Sequence, residues 1–375
     1  MEQPPVIESI DLSGLVPDRF DETFEASKLP ELNARLKEIR DTSKDYVMSI
    51  GHMVSYGSDT DYKISFIPPG SQERKILKPT PWFEQQMCTK LGIPTRYMDH
   101  MKEAKLYDLA ADNINQWTAH ESPKKVMVRT VGENARALLS DRYQVIDSYD
   151  VTMGVLSTVM DINMGRDRKD RVQFSEANLT ETKLYLRMLD YSRPYDIKGD
   201  VHYPGIVVGN SDYGDGALFV KIMLWRMVCA NGMMREAELR KVHVGTKIEE
   251  GMYSAETRSA DSKVWMIKIR DVLKFVLENN TPFDTWKKEI EGTADTQINA
   301  PDTIKEMTKA KVISEDEGDA IIKAMMGDVT AAPGSEYHLL QGMTALAKTM
   351  PTDRRVELEE LAGNPAQLTP MLVTA

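Results

Sequence analysis

The chain has 375 residues, of which 41% are hydrophobic and 28% are charged; this is the composition of a globular protein with room for two or three domains. Its formal net charge of −11 excludes a uniformly basic surface, and no apolar run approaches the ~20 residues of a membrane span. The acidic N-terminus lacks the basic and apolar regions of a secretory signal, and two cysteines are too few for a disulfide framework, so we expect a protein of the reducing cytoplasm without membrane contact.

The charge is distributed unevenly along the chain. The net charge is −6 over residues 1–123, +2 over 124–243 and −7 over 244–375. The middle section alone is not acidic, which allows a local groove for an anionic ligand.

The first part of the chain divides into two regions. Residues 1–27 are rich in Pro, Asp and Glu without periodicity, so we predict a flexible N-terminal arm. Residues 28–123 form an N-terminal α/β region, with a helix from Leu29, two strands within 46–67, and helices after Thr80. Thr80 is an N-cap with proline next to it, and Gly92 ends that helix.

The region 124–285 is predicted to be a central β-sheet with a packed helix. Alternating apolar residues and turn signals predict hairpins at 124–140 and 204–234 and a strand at 179–189. In 218–223, Leu218, Val220 and Ile222 alternate with residues of the opposite face. The glycine-rich segment 209–216 joins two strands and does not open a helix, so it is interpreted as a hairpin turn and not a phosphate loop.

Residues 286–375 form an acidic helical C-terminal region in this interpretation. Strands that arrive in hairpin groups, instead of alternating with helices, exclude a doubly wound nucleotide-binding fold. The predicted fold class is therefore α+β, with an antiparallel hairpin sheet, packed helices and a helical C-terminal region.

Several common catalytic signatures do not occur in the sequence. There is no G-x-x-x-x-G-K-[ST] phosphate loop and no G-x-S-x-G nucleophile elbow. The six histidines are scattered without metal-binding spacing. Cys88 and Cys229 lie in apolar surroundings that favour packing over nucleophilic chemistry. We therefore predict no cofactor.

Two acidic pairs in predicted turns keep a metal-dependent nuclease open as an alternative. Asp59 and Asp61 form one pair, and Asp212 and Asp215 form the other. Their oxygens could hold Mg²⁺, although aspartate is common in turns for backbone reasons alone.

The positive signal in the sequence is a set of basic residues interleaved with aromatic residues on predicted strands. Cations neutralise phosphates, and aromatic rings stack on unpaired bases; the same pattern is also typical of the solvated face of an antiparallel sheet. The candidate nucleic-acid contacts are Lys124, Lys125, Arg129, Arg136, Arg142, Tyr143, Lys183, Tyr185, Arg187, Lys221, Trp225 and Arg226.

Four sequence blocks occur in the order found in one family. They are PWFEQQMCTKLGIPTRYM at 81–98, ARALLSDRYQVIDSYDV at 135–151, GNSDYGDGALFVKIMLWRMVCANGMM at 209–234 and the weaker HLLQGMTALAKT…LEELAG within 338–363. Together they resemble the phage- and plasmid-type proteins of a domain-of-unknown-function family of bacterial mobile elements.

The resemblance implies a function in phage recombination. The hairpin sheet with a following helix is similar in outline to the phage single-strand annealing proteins of the Red-beta class. From that class we expect ATP-independent binding and annealing of single-stranded DNA to a duplex, assembly into a homo-oligomeric ring or helical filament, and contact with a phage exonuclease or a host single-strand-binding protein. The acidic C-terminal region would be the partner-binding part. A phage accessory protein that binds a host factor is the further alternative.

Overall fold

In the computed structural model the described residues are 22–25, 28–58, 60–227, 231–241, 255–328 and 331–374. They form an α+β protein with two mostly antiparallel sheets and a helical C-terminal region, which confirms the predicted fold class. Of the predicted arm at 1–27, residues 22–25 form a strand of the larger sheet. The rest of the arm, and likewise Asp59 and Cys229, lie outside the described residues.

The smaller sheet, called the N-terminal sheet, has the strand order β2-β6-β7-β5-β4-β3 among the described residues. Among its described strands, β5 and β7 pair in parallel. The strands are β2 (Ser43–Ser49), β3 (Val54–Gly57), β4 (Tyr62–Phe66), β5 (Lys75–Pro79), β6 (Lys125–Val131) and β7 (Asn134–Ser140).

Three helices cover one face of the N-terminal sheet: α2 (Pro81–Leu91), α3 (Thr95–Glu103) and α4 (Tyr107–His120). As the sequence predicted, the Thr80 side chain caps α2 by accepting from the amide of Phe83, and Gly92 closes it in the left-handed conformation at φ +67°. Cys88 is buried in the core between this sheet and its helices, and burial raises the pKa of its thiol to about 12. It is therefore a packing residue, as predicted.

The larger sheet, called the central sheet, has the strand order β1-β8-β9-β11-β12-β13, with β10 paired to β11. The strands are β1 (Glu22–Glu25), β8 (Val172–Leu179), β9 (Leu184–Asp190), β10 (Tyr195–Ile197), β11 (Asp200–Asn210), β12 (Leu218–Arg226) and β13 (Asn231–Lys241).

The remaining helices enclose the central sheet. Leu218, Val220 and Ile222 of β12 point into the main core, as their alternation predicted. The helices are α1 (Leu29–Thr42), α5 (Ser148–Asn163), α6 (Ala255–Glu278), α7 (Thr281–Thr293), α8 (Ala300–Lys309), α9 (Glu315–Gly327), α10 (Glu336–Ala347), α11 (Thr352–Ala362) and α12 (Pro365–Leu368). None of the described helices is both long enough and apolar enough to cross a membrane.

The predicted domain boundaries do not coincide with the sheets. The boundary between residues 123 and 124 falls inside the N-terminal sheet, because β6 pairs with β2 from Lys125 to Val131. The boundary between 285 and 286 falls inside α7. The sequence pattern alone does not reveal the pairing of β2 with β6, because these strands lie far apart along the chain.

Candidate nucleic-acid interface

The turn between β11 and β12 is the point where the two sheets meet. The backbone carbonyl of Tyr213 accepts hydrogen bonds from Trp82 Nε1 at 2.8 Å and from Gln86 Nε2 at 2.9 Å, both on α2. The Tyr143 hydroxyl donates to the Ser211 carbonyl at 3.0 Å and accepts from the Gly214 amide at 3.1 Å. Segment 209–216 is therefore a structural turn, and three of the four sequence blocks converge on it.

Arg129 lies beneath this turn among three carboxylates. Its side chain is only 4% exposed, and the guanidinium lies 2.9 Å from Asp45, 3.7 Å from Asp147 and 4.0 Å from Asp212. Burial opposes the charge of Arg129, but Asp212 and Asp45 outweigh it and raise its pKa. Burial and the Asp212 carboxylate raise the pKa of Asp147 to about 7. Arg129 therefore neutralises buried carboxylates and is not accessible to a phosphate.

Arg136 is likewise used inside the protein. It is 8% exposed, donates a hydrogen bond to the Glu181 carbonyl and lies 4.6 Å from the centre of the Tyr213 ring. The cation–π contact and the hydrogen bond tie β7 to the β11–β12 turn and to the turn between β8 and β9.

Two candidate cations on the central sheet form ion pairs with α11. Arg187 lies 2.7 Å from Glu359, with side-chain exposures of 0% and 1%, and Lys221 lies 2.6 Å from Glu360. Arg187 faces Val207, which in turn pairs with Lys221, so both cations belong to one row across β9, β11 and β12.

Closer to the β11–β12 turn, two more candidate residues of the central sheet have carboxylate partners. The Tyr185 hydroxyl donates to Asp353 at 2.7 Å. Lys183 lies between two carboxylates, 3.2 Å from Asp215 and 3.6 Å from Asp353. The acidic side of α11 thus matches the cationic face of the sheet.

The cover formed by α11 is a packed part of the fold. Its apolar residues Val356, Leu358 and Ala362 are at most 5% exposed. Removing them from the core would expose their apolar surface to water, at a free-energy cost of roughly 25 cal/mol per Å². The sequence predicted an open cationic face here. Instead Tyr185, Arg187 and Lys221 are withdrawn from solvent because α11 lies on them.

Arg226 points to the other side of the central sheet. It is 1% exposed and lies 2.8 Å from Asp200 and 2.7 Å from Asp328. Its neighbour Trp225 is half-buried and faces Tyr203 on β11. The two adjacent candidates therefore have opposite surroundings, as expected for consecutive residues of a strand.

Three candidate cations are exposed, and they lie at one end of the N-terminal sheet. Lys124 precedes β6, Lys125 begins it, and Arg142 follows the end of β7, where Ser140 pairs with Val126. The Lys124 ammonium donates to the carbonyl of Lys90 in the last turn of α2 at 3.2 Å. We call Lys90, Lys124, Lys125 and Arg142 the basic patch.

Two carboxylates, Asp141 and Glu121, act on cations of the basic patch. Burial and the Lys124 ammonium lower the pKa of Lys90, against the opposing effect of Asp141. Glu121 lies 3.3 Å from Lys124. The sequence interpretation missed Lys90 because it considered only the apolar face of α2; the Lys at the end of the PWFEQQMCTK block is the signal that could have identified it.

Asp212 and Asp215, one of the two acidic pairs, are engaged by protein groups. Asp212 accepts hydrogen bonds from Ser148 and Asn210 beside Arg129, and Asp215 is occupied by Thr182 and Lys183. Within the described part of the chain, no group of three or more His, Cys, Asp or Glu side chains is placed to hold a metal ion.

Two clefts that share Asp215 and Asp353 have volumes of about 300 Å³ and 320 Å³. The first lies between the central sheet and α11, and the second lies between the start of α2 and the β8–β9 turn. Lys183 and Lys221 also line the first, but each is paired with a carboxylate of the same lining, so neither cleft favours a phosphate group.

Comparisons of the chain with protein-family models, with curated proteins and with solved structures give no match. The phage-type resemblance stated from the sequence blocks thus stays a prediction.

Proposed function

We propose that the protein binds single-stranded DNA and promotes annealing of complementary strands without ATP. The observation that supports this proposal is the basic patch, where three of the cations selected from the sequence remain exposed and a fourth, Lys90, lies beside them. Four clustered cations can neutralise neighbouring phosphates and release counterions, which drives binding that does not depend on sequence.

An aromatic pair lies on the helix that leads to the patch. Trp117 is 42% exposed, and its ring centre lies 5.7 Å from that of His120 in the last turn of α4. Glu121 and Lys124 are joined by a backbone hydrogen bond, so this turn connects α4 to β6. An exposed indole next to a cationic patch suits an unpaired base better than a duplex, whose bases are already stacked.

The proposal is tested with complementary oligonucleotides that carry a fluorescence donor and acceptor, in the absence of ATP. The variant combines Lys124→Ala, Lys125→Ala and Arg142→Ala. Its matched control combines Lys288→Ala, Lys309→Ala and Lys323→Ala, which removes the same charge from exposed positions on the C-terminal helices. The proposal expects wild type and control to accelerate annealing and the patch variant to lose the acceleration; equal rates in both variants would contradict it.

The assembly and partners expected from the resemblance belong to the same proposal. A ring or helical filament would place many basic patches along one DNA strand and raise the affinity through multivalency. A phage exonuclease or a host single-strand-binding protein stays the predicted protein partner.

A further inference from the structure

An aromatic row crosses three strands of the central sheet at the end away from the β11–β12 turn. Tyr203 on β11 pairs directly with Trp225 on β12. Tyr191 follows β9, and its ring centre lies 5.0 Å from that of Tyr203 at an interplanar angle of 59°. All three side chains are half-buried, so each ring keeps part of its surface in solvent.

The row lies on the sheet face that α11 covers, where Tyr191 and Trp225 pack against the apolar cluster that includes Val356 of α11. Tyr191, which follows β9, is four residues after Arg187, the residue that pairs with Glu359. Trp225 on β12 is four residues after Lys221, which pairs with Glu360. The row thus continues the covered face into a part of the sheet that α11 does not bind through an ion pair.

Gly232 of β13 stands opposite Trp225 and lets the indole pack against the backbone. A Cβ at this glycine would lie 3.1 Å from the Trp225 ring, closer than a side chain normally approaches. Gly232 itself is buried, so one side of the indole is covered by β13.

A basic loop adjoins the other end of the row. Residues 166–171 contain Arg166, Arg168, Lys169 and Arg171, and the last three are exposed. Asp167 and Asp170 are also present, so the loop has a net charge of +2. Because Val172 pairs with Asp190, Arg171 flanks Tyr191 in the register of β8 and β9.

Asp190 fixes this loop to the sheet. It is fully buried; its carboxylate accepts a hydrogen bond from Arg193 Nε at 2.9 Å and lies 3.4 Å from Arg166 Nη1. Arg171 in turn donates to the Arg166 carbonyl at 3.3 Å. Asp190 thus holds Arg166, and through the Arg166 carbonyl also Arg171, at the end of β9.

We propose that the aromatic row is a stacking platform for the bases of single-stranded nucleic acid, with Arg168, Lys169 and Arg171 on the adjacent phosphates. Rings of Tyr and Trp stack on any base, and an adjacent cation binds the backbone that follows it. A duplex presents no free base faces, so the platform selects single strands. This assignment rests on the proposed function and adds a contact region to it.

The platform is distinct from the basic patch. Eight residue steps separate Tyr203 from Ser211, about 26 Å along β11, and Ser211 lies in the turn that meets the N-terminal sheet, which carries the patch at its own end. A single strand that contacted both regions would have to extend over more than the length of β11.

The first test uses tryptophan fluorescence during titration with oligothymidylate. Stacking of a base on Trp225 quenches its emission, so the quench should be larger in wild type than in Trp225→Phe, where the remaining quench comes from Trp117. The Trp225→Phe variant is checked for folding by its thermal unfolding. A quench of the same size in the two proteins would overturn the assignment of the platform.

The second test does not alter the packed row. A variant with Arg168→Ala, Lys169→Ala and Arg171→Ala changes only exposed side chains, and the Lys288, Lys309 and Lys323 variant is its control. Loss of three phosphate contacts should reduce the slope of log affinity against log salt by about 2. An unchanged slope would contradict the platform. If Trp225→Phe does not fold, this salt dependence alone decides whether the platform binds nucleic acid.

The two proposals fail in different ways. If wild type binds oligothymidylate, and Lys124→Ala with Lys125→Ala and Arg142→Ala weakens binding while the loop variant does not, the platform is wrong and the proposed function stands. If wild type does not bind single-stranded DNA at low salt, the proposed function itself is wrong and the platform falls with it.

Discussion

The guanidinium of Arg187 and the carboxylate of Glu359 lie 2.7 Å apart, and neither side chain is more than 1% exposed. The contact is short, but its geometry is not that of a directed hydrogen bond, so the attraction is mainly that of an ion pair. Glu359 also accepts from Arg355 on its own helix at 3.0 Å, whereas the buried Arg187 charge depends mainly on Glu359, so the pair fixes α11 on the central sheet.

Removing one partner of this pair should destabilise the protein strongly. Glu359→Gln leaves the Arg187 charge buried with only the more distant Glu176 carboxylate, 3.7 Å away. The expected loss in the free energy of unfolding is about 3–5 kcal/mol, measured by urea denaturation. The control is Glu357→Gln on the same helix, whose exposed ion pair with Arg354 is worth at most about 1 kcal/mol. Equal losses in the two variants would show that the pair does not hold α11.

The contact between the two sheets around Asp147 should make the free energy of unfolding depend on pH. The pKa of Asp147 is raised from 3.8 to about 7, by burial first and by Asp212 second. A carboxyl whose pKa is higher in the folded state binds its proton more tightly there, so folded-state stability falls as the pH rises from about 4 to 7 and then levels off.

Asp147→Asn tests this dependence. Asparagine keeps the capacity to cap α5, where the Asp147 side chain accepts from the Tyr149 amide at 2.9 Å, but it does not titrate. The variant should show a smaller decline between pH 4 and 7 than wild type in thermal unfolding; part of the decline stays, because burial also raises the pKa of Asp212. A decline of the same size in both proteins would assign the pH dependence to other groups.

Gly363 should tolerate no side chain. A Cβ at this position would lie 1.9 Å from the Met234 carbonyl oxygen on β13, and the Gly363 carbonyl also accepts from Trp286 Nε1 at 2.9 Å. Gly363→Ala should therefore cost about 1–3 kcal/mol of unfolding free energy through overpacking. Gly292→Ala is the matched control: no atom lies within 4 Å of a Cβ there, and alanine should stabilise α7 by about 0.5–1 kcal/mol.

Local sequence patterns predicted the elements of the fold well. The alternation in β12 correctly separated Leu218, Val220 and Ile222 from the residues on the opposite face, and the Thr80 and Gly92 signals marked α2 correctly. These features depend on neighbours in the chain, which fix strand alternation and helix ends.

The surroundings of the cations could not be predicted in this way. Arg187 pairs with Glu359 of α11, a helix that lies far along the chain. The alternation of side chains in β9 therefore does not indicate this partner. The charges of α11 were counted as part of an acidic region, but the sequence does not show which strand face they meet. The aromatic row was missed for the same reason: Tyr191, Tyr203 and Trp225 come from three strands, and only the register brings them together.

The most direct test of the central claim is the salt dependence of wild-type binding to fluorescent single-stranded DNA, measured by anisotropy. With at least three phosphates neutralised by the basic patch, log affinity should fall linearly with log salt, with a slope of about −2 or steeper. Absence of binding at low salt, or an affinity that does not change with salt, would contradict the account.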